Sequence, residues 1–240
     1  MLFVLVDTAD DRGCIALFRD GQLLQVASHP EREDFSSWLL PAVGRLLSDA
    51  SVSLADLDAY AVCSGPGSFT GLRVGLTTVK AWAEIFQKPI AAVSRLEALA
   101  CQSPLEPILT TRFVATYLDA RRNQVFAALF EPRGVPLVPE TVTSLAHFLA
   151  NVTDTCGSTA VAWRTPDPQL LVQESVWASR RSKGDTLVSI QPPFAAQLGA
   201  LADHKLLSGE TTDAISLDAN YVRRSDAELF WKDHASAVKA

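Results

Sequence analysis

Apolar residues along this chain gather first into short runs and then recur at helical spacing. Leu2 to Thr8 is an apolar run of strand length. Cys14 to Phe18 and Gln22 to Ala27 make two more, with Asp20-Gly21 between them as a tight-hairpin signal. The chain is therefore expected to open as a three-stranded meander. Phe35, Leu39, Ala42, Val43, Leu46 and Leu47 then recur three or four positions apart. With Asp34 as N-cap, this spacing predicts an amphipathic helix running to about Ala50, with Pro41 as a point of kinking. Ala59 to Cys63 reads as a fourth strand, and a glycine loop follows at once. A second helical pattern runs through Leu72, Leu76, Val79, Ala83 and Phe86 and is stopped by Lys88-Pro89. Ile90 to Val93 reads as a fifth strand, and Ser94 with Glu97 has the form of a capping box opening a short helix to Ala100.

Pro104 and Pro107 punctuate the chain before a new start at Phe113, which places a boundary near residues 101 to 110. The expected halves are residues 1–105 and 106–240, with the C-terminal tail free to return to the first. In the second half, Phe113 to Leu118 and Gln124 to Phe130 read as strands around Asp119-Ala120-Arg121-Arg122-Asn123, with a further hairpin through Pro132-Arg133-Gly134. Ser144 to Ala150 and Ala195 to Leu207 have helical spacing, whereas residues 151 to 192 follow no clear period. Strands arrive in sets before helices, so the expected class is α/β, with mixed sheets flanked by helices in two similar lobes.

Composition narrows the function classes. No apolar run approaches the roughly 18 residues that cross a bilayer, and Asp7 interrupts the first run too early for a secretion signal. A soluble, cytoplasmic protein is expected. Cys14, Cys63, Cys101 and Cys156 are scattered, suggesting reduced thiols rather than a disulfide framework or zinc knuckle. A net charge of −6 and a pI of about 5.2 oppose autonomous binding to a phosphate backbone. The basic clusters Arg121-Arg122, Arg180-Arg181 with Lys183, and Arg223-Arg224 are the local exceptions.

The chemistry-bearing candidate is Gly65-Pro66-Gly67-Ser68-Phe69-Thr70-Gly71, set between strand and helix where free N–H groups can hold an anion. The loop lacks the Gly-Lys-Ser/Thr ending of a Walker sequence and the spacing of a dinucleotide fingerprint. Two readings stay open: an anion site built on Asp7, Gly65, Gly67, Ser68 and Gly71, or a joint whose glycines let the helix pack closely on the sheet. Asp7 and Asp119, each at a strand end, would frame a cleft between lobes. His29, His147, His204 and His234 stand alone, with no His-Glu-x-x-His and no i, i+4 pair, so no metal site and no cofactor are expected.

Three segments together resemble the TsaB (YeaZ) family, whose fold is of the ASKHA type, actin-like and ribonuclease-H-like. They are Leu5-Val6-Asp7-Thr8; Ser64 through the glycine loop to Leu72-Arg73-Val74-Gly75 and on to Val93-Ser94-Arg95-Leu96-Glu97; and Leu118-Asp119-Ala120-Arg121-Arg122-Asn123-Gln124-Val125-Phe126. A weaker echo lies in Tyr221 to Glu228, and residues 135 to 215 match poorly. The resemblance implies a non-catalytic subunit that binds and activates a TsaD-like catalytic partner in making N6-threonylcarbamoyladenosine in tRNA. A TsaE-like ATPase would join through the complex, with tRNA engaged only indirectly and a homodimer formed by the isolated chain. It further implies that the two long helices of the first half form the partner surface, with Trp38, Phe69, Arg73, Val74, Leu76 and Lys80 as contacts and Trp82 as a further surplus apolar position. The alternative is a nucleotide-binding enzyme or switch of the same fold acting through the cleft at Asp7 and the glycine loop.

Overall fold

The structure is a computed structural model and describes residues 1–101, 113–131 and 135–222. The boundary expected near residues 101 to 110, the turn at 132–134 and the basic pair Arg223-Arg224 lie outside the described residues. Two five-stranded mixed sheets are each flanked by helices. The first contains β1 (Leu2–Asp7), β2 (Cys14–Arg19), β3 (Gln22–Ser28), β4 (Ala59–Gly65) and β5 (Ile90–Ser94), in the order β3-β2-β1-β4-β5. The second contains β6 (Phe113–Asp119), β7 (Val125–Phe130), β8 (Pro136–Thr143), β9 (Val161–Thr165) and β10 (Thr186–Ser189), in the order β8-β7-β6-β9-β10.

The two orders are the same pattern displaced by five strands. In each, the first three strands form an antiparallel meander and the last two join parallel to the first. The helices repeat as well. α1 (Phe35–Asp49) and α4 (Leu145–Cys156) follow the meanders, and α3 (Arg95–Ala100) and α7 (Ala195–Ser208) follow the last strands. Between the two parallel strands stands α2 (Phe69–Phe86) in the first lobe, and α5 (Pro168–Val172) with α6 (Trp177–Ser182) in the second. The fold is of the α/β class, built of two similar lobes.

Strand alternation distributes the apolar side chains to opposite faces. Val4, Val6, Ile15 and Leu17 face outward into a core closed by α1 and α2, while Phe3, Leu5, Ala16 and Phe18 face inward. The inward set joins α3, α7 and residues of β6 and β7 in a single cluster, so the lobes share one core.

Three details depart from expectation. α4 continues to Cys156 because Val152 and Cys156 carry on its buried stripe past Ala150. Ser94 does cap α3, accepting from the Leu96 and Glu97 N–H groups, but Glu97 turns to Lys205 at 2.9 Å instead of closing the capping box. The stretch 151–192 holds regular elements masked by buried polar residues. Asp185 accepts from the Val161 N–H, the Trp163 indole and the Arg180 guanidinium, and Arg164 of β9 donates to the Leu99 and Cys101 carbonyls. Charged groups satisfied inside the protein read in sequence like surface, which hid the periodicity.

Candidate functional site

The glycine loop leaves β4 at Gly65, whose φ of 130° suits glycine alone, and the Asn220 carbonyl lies 2.9 Å from where a β-carbon would stand. Ser68 then caps α2 by accepting from the Gly71 N–H at 3.3 Å. The remaining glycines face the end of β1 and the turn after it. A β-carbon at Gly67 would fall 2.2 Å from the Ala9 carbonyl oxygen, and one at Gly71 2.1 Å from that of Thr8. The Ser68 N–H donates to the Ala9 carbonyl at 2.6 Å, and the Thr8 hydroxyl donates to the Gly71 carbonyl at 2.8 Å. The face of the loop toward β1 is thus filled from within the protein. On the side facing β1, carbonyl oxygens occupy the space its glycines make, so this side of the loop packs as a joint.

Asp7 lies beneath this joint, fully buried, and does not reach the cleft between lobes. Arg95, the first residue of α3, is buried beside it with Nε 3.4 Å from Oδ2. The same guanidinium donates through Nη1 to Asp10 at 2.8 Å and lies 4.8 Å over the Phe194 ring. Burial pushes the Asp7 carboxyl above the usual carboxylate range, opposed by Arg95. Burial acts on Asp10 in the same sense, yet Arg95 and Arg12 outweigh it and hold Asp10 well below that range. The Asp7 and Asp10 charges hold Arg95 cationic despite its burial. Sequence reasoning gave Arg95 no role, because an arginine next to a helix cap reads as a surface charge.

Between the lobes is a cleft of about 690 Å³. Asp10, Arg12 and Gly67 line it from the first lobe, and Asp119, Arg121 and Asp167 from the second. Asp119 therefore frames this cleft as expected, but Asp10 stands opposite in place of Asp7. Arg12 spans it toward Asp167, at 3.8 Å. Arg121, Arg122 and Asn123 each take a positive φ, between 55° and 62°, at the β6–β7 turn. Among the described residues no cluster of three or more His, Cys, Asp or Glu side chains is placed to hold a metal, and no helix is long and apolar enough to cross a membrane.

On the outer face, α1 and α2 pack side by side and leave a shallow groove of about 480 Å³. Leu40 at 58% exposure, Phe69 at 37% and half-buried Val74 supply its apolar surface, and Arg73 lies on its edge. Half-buried Lys80 follows farther along α2. Trp38, Leu76 and Trp82 are not part of that surface. They are 4%, 5% and 6% exposed, packed into the lobe's own core, because the faces carrying them point at the sheet. An apolar stripe alone does not distinguish a helix's own sheet from a partner.

The profile of the family described as TsaD, tRNA N6-adenosine threonylcarbamoyltransferase, matches residues 29–171. The tRNA threonylcarbamoyladenosine biosynthesis protein TsaB of Bacillus subtilis is 30% identical over 236 residues, covering 96% of this chain and 98% of the relative. The chain belongs to the TsaB family. TsaB of Escherichia coli is likewise 30% identical, over 97% of both chains. A Pseudomonas aeruginosa crystal structure, described as similar to peptidase YEAZ, superposes with a TM-score of 0.72 at 25% identity, covering 92% of this chain and 99% of that one. The TsaB resemblance read from the glycine loop thus extends along nearly the full chain, including the stretch after residue 135 that carries few recognisable residues.

Proposed function

We propose that this chain is a non-catalytic subunit that binds and activates a TsaD-like catalytic subunit in making N6-threonylcarbamoyladenosine in tRNA. The observation that carries the reading is the apolar strip of exposed Leu40 and Phe69 with half-buried Val74, on two adjacent helices whose sheet-facing sides are already buried. Such a strip suits a second helix pair packed across it. Membership of the TsaB family, with relatives named for biosynthesis of this modification, supports the pathway. Partner contacts then fall to Phe69, Arg73, Val74 and Lys80, while Trp38 and Leu76 hold the helices in place from behind.

The glycine loop serves this role by seating α2 against β1. A nucleotide routed through Asp7 would meet a carboxylate already closed off by Arg95, which favours the scaffold over the nucleotide switch. With a net charge of −6, the chain leaves tRNA to other subunits and works beside a TsaE-like ATPase in the cytoplasm. Alone, it uses the same strip to form a homodimer.

The test is titration calorimetry of the full chain against the TsaD-like subunit of the same host. Val74→Arg and Leu40→Asp are expected to abolish binding while leaving the thermal midpoint of the chain within a few degrees of wild type. Wild-type affinity in both variants would refute the surface. Leu76→Glu is unsuited to this purpose, since it would bury a carboxylate in the core.

A further inference from the structure

The last described residues lie across the glycine loop. The Asn220 N–H donates to the Ser64 carbonyl at 2.8 Å, and its side-chain amide donates to Glu140. Glu140 belongs to β8 of the second lobe, and its other oxygen accepts from the hydroxyl of Ser94, the N-cap of α3. One carboxylate thereby ties three distant parts of the chain together. Burial pushes its pKa up, against the two hydrogen bonds that favour the charged form, with Glu97 and Lys205 as the other charges nearby.

The residue after this tie is Tyr221, 42% exposed. Its ring lies against Phe69 with centroids 5.1 Å apart, and its hydroxyl accepts from Arg73 Nε at 3.3 Å. The Arg73 guanidinium in turn sits 3.8 Å above the Phe69 ring. Phe69 and Arg73 line the α1–α2 groove, whereas Phe69 and Tyr221 line the cleft between lobes. The cluster is the corner where the two surfaces meet.

We propose that Tyr221 is part of the partner-binding surface and that Glu140 is the residue that positions it there. The inference rests on the reading of the α1–α2 groove as the site of the TsaD-like subunit. Its physical basis is twofold. Aromatic residues and arginine are the types that dominate binding energy at interfaces, and here three of them are stacked and exposed at the groove's end. An exposed aromatic side chain ordinarily loses conformational freedom on binding. One pinned in advance through Asn220 and Glu140 loses less.

The experiment uses the full chain and the TsaD-like subunit of the same host, read by calorimetry, with Val74→Arg as the control for the groove. Tyr221→Ala is expected to weaken binding roughly tenfold or more, and Tyr221→Phe, which keeps the ring, by clearly less. Glu140→Gln places an amide N–H2 against one of its two donors and is expected to weaken binding several-fold; Asn220→Ala breaks the same tie if that variant folds poorly. The decisive readout is non-additivity. If Glu140 acts through Tyr221, Glu140→Gln adds nothing in the Tyr221→Ala background.

Wild-type affinity in Tyr221→Ala, alongside lost binding in Val74→Arg, would overturn the inference while sparing the groove. A full additional loss from Glu140→Gln in the double variant would overturn the positioning role. Unchanged binding in Val74→Arg would sink the groove reading and this inference with it.

Discussion

Replacing Arg95 with methionine is the sharpest test of the buried charge network. Arg95 and Asp7 are both sealed from solvent, so the substitution leaves a carboxylate with no cation beside it in the core. Breaking a buried pair from one side costs about 3–5 kcal/mol, a large share of the roughly 5–15 kcal/mol that holds a domain folded. In a protein of this size that corresponds to a fall of roughly 10 °C in thermal midpoint. Asp7 can relieve the strain by taking a proton, since losing Arg95 removes the charge that opposed the upward push of burial. The folded state then binds a proton more tightly than the unfolded state, so the variant gains stability as pH falls toward the unfolded carboxylate's range and loses it as pH rises. Urea unfolding of Arg95→Met, Asp7→Asn and the double variant, at pH 5 and pH 8, measures both effects. The double variant is expected to be more stable than Arg95→Met, because the orphaned charge is gone. If Arg95→Met matches wild type at both pH values, or if the two substitutions simply add, the network does not hold the site as described.

The joint itself is tested by Gly71→Ala. Its new methyl group would meet the Thr8 carbonyl oxygen at 2.1 Å, a backbone atom held in place by β1, and the expected cost of at least about 3 kcal/mol in urea unfolding separates it from an open anion cradle, where alanine would fit. Asp10 contributes to the acid limb of stability. Its carboxyl is held low in the folded state, so its contribution is full above the unfolded carboxylate pKa of about 3.9 and is lost as pH falls toward the depressed folded value. Thermal melts from pH 7 to about pH 2 should therefore run parallel down to about pH 4 and then fall less steeply in Asp10→Asn than in wild type, and curves parallel throughout would refute the assignment.

Much of the first lobe is legible along the chain because local signals agree there. The meander has its hairpin residues, α2 has its serine cap and proline stop, and the outward and inward sets on β1 follow strict alternation. The glycine loop was legible as a special place, but its meaning depended on what fills it, and the carbonyls of Thr8 and Ala9 come from some sixty residues away. Trp38 and Leu76 were misassigned to the surface because helical period marks a buried face without naming what buries it. Glu140 carried no local signal, and Arg95 and Tyr221 stood in segments that resemble the family without a role of their own. Each acquires its role through contacts across the fold: Arg95 with Asp7 and Asp10, Glu140 with Ser94 and Asn220, and Tyr221 with Phe69 and Arg73.

The shared inner core has a consequence for how the chain reaches its native state. Phe3, Leu5 and Phe18 from one sheet and Val114, Leu118 and Phe126 from the other join one cluster with α3 and α7, α7 lying against the first sheet and α3 mainly against the second. During synthesis the first meander and α1 emerge early, but α7, which covers β1 and β2, is made only after the second sheet. The first sheet's inner face therefore stays open until α7 has been made. The two copies of the pattern resemble each other as architecture, yet neither buries its inner face alone, and a nascent chain halted between them would expose apolar surface.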